Sequence, residues 1–249
     1  MTAASLACRA GYAKYTKRMF IGHFAVGLAA KRLTPRTSLG TLFAAAQLLD
    51  LVWPVLVLLG VETVQVVPGT TAFDRLDFVN YPWTHSLLMA MVWATAFALV
   101  YRQRKGSGQG VWVVGGLVLS HWVLDFVSHR PDLPLAPGAL KVGLGLWNSV
   151  PATVVVEGVL FSVGVALYAT GTRARNRAGS VGFWALVAFL VTAYVADLMG
   201  PPPPSATAIG AAALLLWLLV PWAVWVDRNR EPATGSVGSA VPSGGLQGE

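Results

Sequence analysis

The sequence predicts an all-α fold, a polytopic membrane helical bundle of six transmembrane helices plus a short N-terminal helix. Three observations predict it. Hydrophobic residues make up 55% of the 249 residues and charged ones 12%, whereas a soluble domain carries about 25% charged residues. Six apolar runs, near 38–60, 83–101, 110–128, 150–170, 181–199 and 206–226, are each long enough to cross hydrocarbon about 30 Å thick at ~1.5 Å per residue. Basic residues gather in alternate connections: Lys31, Arg32 and Arg36 before the first run, then Arg102, Arg104 and Lys105, then Arg173, Arg175 and Arg177, then Arg228 and Arg230. By the positive-inside rule this places both termini in the cytoplasm of a multi-pass protein of the cell (inner) membrane.

The elements follow in order. Residues 1–18 form a basic N-terminal extension without a small-residue cleavage site, so no secretory signal is expected; Met19 is an alternative start, which would leave that stretch untranslated. The apolar run 19–30 is too short for an ordinary span and is expected to pack as a half-inserted helix. With it begins the integral membrane helical domain, residues 19–230. In the first span Pro54 cannot donate to the carbonyl of Asp50 and should kink the helix there, and Gln47 stands one turn before Asp50. Pro82 holds Tyr81 extended, and Thr84 is placed to cap the helix that His85 begins. Asn148, Ser149 and Pro151 start the fourth span. Pro201–Pro204 is a stiff connection with no chemical role expected, the ten tryptophans read mostly as an interfacial belt, and the Gly/Ser/Pro-rich 231–249 reads as a disordered tail.

Charge and cysteine usage exclude several function classes. Cys8 is the single cysteine, so an intrachain disulfide and a thiolate zinc site are both ruled out, and any metal must be held by His and carboxylates. The net charge of +7 is scattered through short turns, which argues against nucleic acid as a partner.

Ionisable residues inside the apolar runs carry the functional signal. A charged side chain at a helix centre costs about 2.5–3.5 kcal/mol on the insertion scale, so such residues face a protein interior. On the expected topology His85 lies at the outer end of its helix, and His121 and Asp125 lie one to two turns in from the outer end of theirs. Glu157 sits about two turns inside the fourth span, Asp50 near the middle of the first, and Asp197 near the outer end of the fifth. Several helices thus bring polar groups to similar depth, which predicts a shared cavity. His121, Asp125 and His129 stand at i, i+4 and i+8 on one stripe, but eight residues rise about 12 Å, so His121 and Asp125 form the ligand pair and His129 lies at the cavity mouth. Nothing beyond adjacency to His85 marks Ser86 as a nucleophile. A lone interfacial histidine is ordinarily just polar, and Glu157 alone is as readily structural as functional; the coincidence of four groups is what points to chemistry.

Four short elements, Gly22-His23, Asp50 in LLDLVWP, Thr84–Ser86 and Ser120–Asp125 in SHWVLD, resemble the predicted inner-membrane metal-dependent hydrolases of the LexA-regulated type over roughly residues 20–130. The resemblance implies His23, Asp50, His85, His121 and Asp125 as ligands of a divalent metal ion. Where members of that family carry a second aspartate and a His-Arg-Gly, this chain has Val52 and Asn80–Trp83. Glu157 is the expected replacement for the missing carboxylate.

The expected function is a membrane-embedded metal-dependent hydrolase acting on an ester or phosphoester of a membrane lipid or lipid-like small molecule. Zn²⁺ or Mn²⁺ suits the ligand pair, and Glu157 or His129 supplies acid–base catalysis. Two other classes fit the same residues. One is a proton- or cation-coupled transporter, although the halves show no internal repeat; the other is a non-catalytic scaffold.

Overall fold

The computed structural model describes residues 21–67, 69–73, 76–201 and 203–233, so the basic extension at 1–18 and the tail from 234 onward lie outside the described residues. Along them run α1 (Ile21–Ala30), α2 (Leu39–Ala46), α3 (Leu48–Leu58), β1 (Thr63–Val66), β2 (Leu76–Asn80), α4 (Pro82–His85), α5 (Leu87–Lys105) and α6 (Gln109–Ser128). The two-residue strands β3 (Leu133–Pro134) and β4 (Lys141–Val142), and a 3-10 turn at Leu146–Asn148, connect α6 to α7 (Val150–Gly171). The chain continues with β5 (Thr172–Ala174), α8 (Arg177–Met199), α9 (Ala206–Ala213), α10 (Leu216–Arg228) and β6 (Arg230–Pro232). The fold is mostly helical, with three antiparallel two-stranded ribbons at the bundle ends.

Among the described residues, four helices are long and apolar enough to cross a membrane: Gln109–Ser128, Val150–Gly171, Arg177–Met199 and the rod Ala206–Arg228; a fifth span results if the bent pair α2–α3 counts as one. The expectation of six is therefore not met by length and composition. The shortfall is α5, whose last turn is Arg102, Arg104 and Lys105, which shortens its apolar stretch. Outward faces of the long helices carry Val155, Val159, Val163, Val181 and Trp184, an apolar exterior suited to lipid.

α1 is the hub, packed along α7 and against α2 and α6. Its approach to α7 needs a glycine: a Cβ on Gly164 would lie 2.5 Å from the carbonyl oxygen of Ala25. One apolar cluster joins α1 to α7, α8 and α10 through Phe24, Phe161, Phe183 and Leu219, and a second joins α2 and α3 to α5 and α6 through Leu42, Leu49, Ala90 and Val118.

Three local expectations are corrected. The break in the first span falls at Gln47 (φ −105°, ψ 8°), where α2 and α3 meet at 55°, and α3 runs on through Pro54. The cause is a side chain from another helix: the Ala46 carbonyl, which an unbroken helix would give to Asp50 N–H, accepts from His121 Nδ1 at 2.8 Å. At the second span Ser86, not Thr84, is the N-cap, its Oγ accepting from Met89 N at 3.2 Å, and His85 belongs to the separate single turn α4. Glu231 and Pro232, expected in the tail, pair with β5.

Candidate metal centre

Four helices deliver five side chains to one cluster, as two overlapping ligand groups that share His121. α1 brings His23, the first turn of α3 brings Asp50, α4 ends on His85, and α6 contributes His121 and Asp125 one helical turn apart. The Gln47 break sets Asp50 at the start of a re-aimed helix, so one sequence event both frees the Ala46 carbonyl and turns the carboxylate inward.

Asp125 is the centre of the group. Its Oδ1 lies 3.4 Å from His23 Nε2, and its Oδ2 lies 3.3 Å from His121 Nε2 and 3.7 Å from His85 Nε2. Asp50 Oδ1 lies 3.4 Å from His85 Nε2 and 3.8 Å from His121 Nε2. The His23 and His121 rings stack with centroids 3.8 Å apart. All but Asp50 are buried, and that carboxylate is the part of the cluster most open to the cavity above it.

Two hydrogen bonds fix which ring nitrogen faces inward. A carbonyl oxygen only accepts, so His121 Nδ1 carries its proton toward Ala46 and a neutral ring presents the lone pair of Nε2 to the carboxylates. His85 Nδ1 lies 2.6 Å from Thr84 Oγ1, which donates to Glu62 Oε2 at 2.7 Å; the ring must therefore donate, and its Nε2 also faces the carboxylates with a lone pair. Glu62 is 2% exposed and further accepts from the backbone N–H groups of Trp83 and Thr84, both at 2.8 Å, at the start of α4. Outer partners of this kind orient metal-binding histidines.

The donor set fits a divalent cation. His23, His121 and Asp125 offer three ligand atoms within 4.8 Å of one another, as do Asp50, His85 and His121. Atoms bound to one ion at ~2.0–2.2 Å in a tetrahedron stand roughly 3.3–3.6 Å apart, close to the 3.3–3.8 Å separations here. His23 Nε2, His121 Nε2 and Asp125 Oδ2 are buried without a hydrogen bond to any protein group, an arrangement that is costly unless a cation satisfies them.

A cavity of about 600 Å³ adjoins the cluster, with Asp50, His85, Asp125 and His129 on its polar side. His129 lines the cavity and is 3% exposed, its Nδ1 2.9 Å from Asp132 Oδ1 and its ring 4.2 Å from that of Trp147. Tyr81 donates to Asp132 Oδ1 at 3.3 Å, and Arg130 donates to Asp132 Oδ2 at 2.9 Å and to Asp77 at 2.6 Å. Burial works against the Asp132 carboxylate, but the bonds from His129 and Arg130 outweigh it and hold its pKa below the ordinary value. A pKa lowered on folding means that this pairing adds stability above about pH 4 and loses it as pH falls further. Burial pushes the Tyr81 hydroxyl well above its usual range, with Asp132 adding to the effect.

Other expected residues fall elsewhere. Glu157 is fully buried on α7, close enough to act electrostatically on the Tyr194 hydroxyl of α8, but among the described residues it belongs to neither ligating group and does not line the cavity. It therefore does not stand in for the missing carboxylate. Gln47 is buried at the helix break, and Asp197 lines the cavity together with Pro201, Pro203 and Pro204 of the connection expected to be inert. The sequence reading did not single out Glu62 or Asp132; the second had a visible signal, a carboxylate three residues after His129.

A family model described as YdjM inner membrane protein matches residues 16–200. No curated protein and no solved structure matches the chain.

Proposed function

The chain belongs to the YdjM inner membrane protein family, and on that premise we propose that it is a membrane-embedded metal-dependent hydrolase of an ester or phosphoester carried by a lipid or lipid-like molecule. The single observation that carries this reading is the convergence of His23, Asp50, His85, His121 and Asp125 from four helices, with Nε2 of His85 and His121 turned inward by their own hydrogen bonds. Three imidazoles and two carboxylates suit Zn²⁺ or Mn²⁺.

A divalent ion bound here would supply Lewis acidity, polarising an ester or phosphoester oxygen and lowering the pKa of water beside it. The residues that would hold it are drawn from His23, His121 and Asp125 and from Asp50, His85 and His121, with Asp50, His85 and Asp125 also lining the cavity. His129 is the acid–base group of the reading: it lines the cavity, and Asp132, 2.9 Å from its Nδ1, orients its ring. The apolar walls exclude bulk water and strengthen these interactions. With the Arg- and Lys-bearing connections on the cytoplasmic side, the cavity opens toward the outer leaflet.

The test is purification in detergent, elemental analysis of bound metal, and assays on esters and phosphodiesters. About one divalent ion per chain and metal-dependent turnover are expected. Absence of metal from the wild type, or unchanged metal in His121→Ala, overturns the reading. Thr84→Val provides a finer check, because it removes the hydroxyl that orients His85 while keeping the side-chain volume. Chelator competition should show affinity for the ion weakened by about 10–100-fold, and unchanged affinity would remove Thr84 from the orienting chain.

A further inference from the structure

The cavity does not end at the metal centre. It continues as an apolar cleft between α8 and the broken rod α9–α10, with walls that descend from Gly200 to Phe189 on one side and from Ala208 to Leu219 on the other. Each wall covers twelve residues, 189–200 and 208–219, an axial length of roughly 16 Å, about half of the ~30 Å hydrocarbon core. Two helices thus measure out the same depth, that of one leaflet.

The cleft exists because the last two rods meet at one end and part at the other. α9 packs on α3, whereas α10 returns to pack on α8 and α2. The departure of α9 is built in: Gly210 lies against Leu58, where a Cβ would stand 3.0 Å from that side chain, and the rod is broken at Leu214 and Leu215 between α9 and α10. Leu215 on the cleft wall is 63% exposed, so the groove is open at the side of the bundle, between two membrane-spanning segments. Small residues, Ala193 and Ala213, line it half-way down.

The geometry points to a hydrocarbon-chain site: this cleft holds the single acyl or prenyl tail of the substrate, admitted sideways from the bilayer, with the polar head against the His/Asp cluster. The inference rests on the hydrolase reading and deepens it to a substrate class. The argument is one of continuity. One end of the space carries Asp50, His85, Asp125 and His129; Asp197, Gly200 and the prolines stand at the top of the α8 wall, and below them the two walls are alanine, leucine, isoleucine and phenylalanine. A molecule that fits both ends is an amphiphile with one head and one tail. Phe189 and Leu219 are the deepest lining residues on the two walls.

The experiment uses the full-length protein in detergent with a diazirine-bearing hexadecylphosphonate as photoprobe, beside assays on hexadecanoyl and butanoyl esters of one alcohol. Labelled peptides should fall within residues 189–200 and 206–219. Ala193→Phe and Ala213→Phe, on separate helices, should each leave bound metal in place while lowering labelling by roughly tenfold or more and lowering the ratio of hexadecanoyl to butanoyl turnover by as much. Retained metal reports that each variant has folded, and Ala193→Leu substitutes for one that has not. Labelling outside the cleft, or a chain-length profile unmoved by the variants, overturns the inference while hydrolysis stands. Labelling in the cleft with no turnover of either ester by the wild type overturns the hydrolase reading and leaves the chain site standing.

Discussion

Asp125→Asn should abolish metal binding, and with it hydrolysis, more completely than loss of any one histidine. Asp125 is the one group in contact with all three imidazoles at 3.3–3.7 Å, and it brings to a buried site one of the two negative charges that a divalent cation meets there. Replacing it by the neutral amide keeps the volume but leaves Asp50 as the sole ligating carboxylate, and an amide NH₂ would then face lone pairs or a cation. Residues that merely orient ligands change affinity by about 10–100-fold, so loss of this ligand should exceed that range. His23→Ala, which removes one contact to Asp125, should retain measurable metal. Elemental analysis of both variants after identical purification decides the point: Asp125→Asn with wild-type metal content would mean that the cluster is a hydrogen-bonded structural knot.

Gly164→Val should destabilise the bundle and disturb the cluster together. At Gly164 the backbones of α7 and α1 touch: an added Cβ would stand 2.5 Å from Ala25 O and 2.8 Å from Ala25 Cα, and both are main-chain atoms that cannot swing away. Overpacking of this kind typically costs about 1–3 kcal/mol, and valine adds two methyl groups to the clash. Because α1 also carries His23 two residues before Ala25, displacement of α1 should withdraw that imidazole from Asp125 as it lowers thermal stability. Gly158 on the same helix is the control, since a Cβ there meets nothing within 4 Å, and alanine improves helix propensity by up to about 1 kcal/mol. Thermal unfolding in one detergent should show Gly164→Val melting several degrees below wild type and Gly158→Ala level with it or above. Equal melting of the two would remove the close approach from the account of the fold.

Legibility from sequence divided along clear lines. His85, His121 and Asp125 could be placed at a common depth because hydropathy marks where each helix begins and ends, and the i, i+4 spacing put the last two on one stripe. Asp50 was likewise legible as a carboxylate inside an apolar run, and the family resemblance added His23; the structure brings both to the cluster. The Thr84–Glu62 support of His85 was hidden, since Glu62 sits before a β-ribbon, 22 residues from the threonine it accepts from, and no local pattern connects them. The 55° break was attributed to Pro54 because proline is the breaker that a sequence shows; the cause, an imidazole taking the Ala46 carbonyl from 75 residues away, has no local signature. Glu157 lies outside both ligating groups and the cavity lining and acts electrostatically on Tyr194 of α8, because position along a helix carries no azimuth.

The sequence by itself determined that this is a membrane protein of apolar helices with its ionisable groups at a shared level, because transfer into hydrocarbon is decided residue by residue along the chain. Tertiary structure alone decided which of those groups meet, which nitrogen of each imidazole faces the carboxylates, and where α8 and α9 part to leave a cleft. Those outcomes depend on how each helix is rotated about its axis and on which backbone carbonyl it surrenders, and both are fixed by packing between segments far apart in the chain.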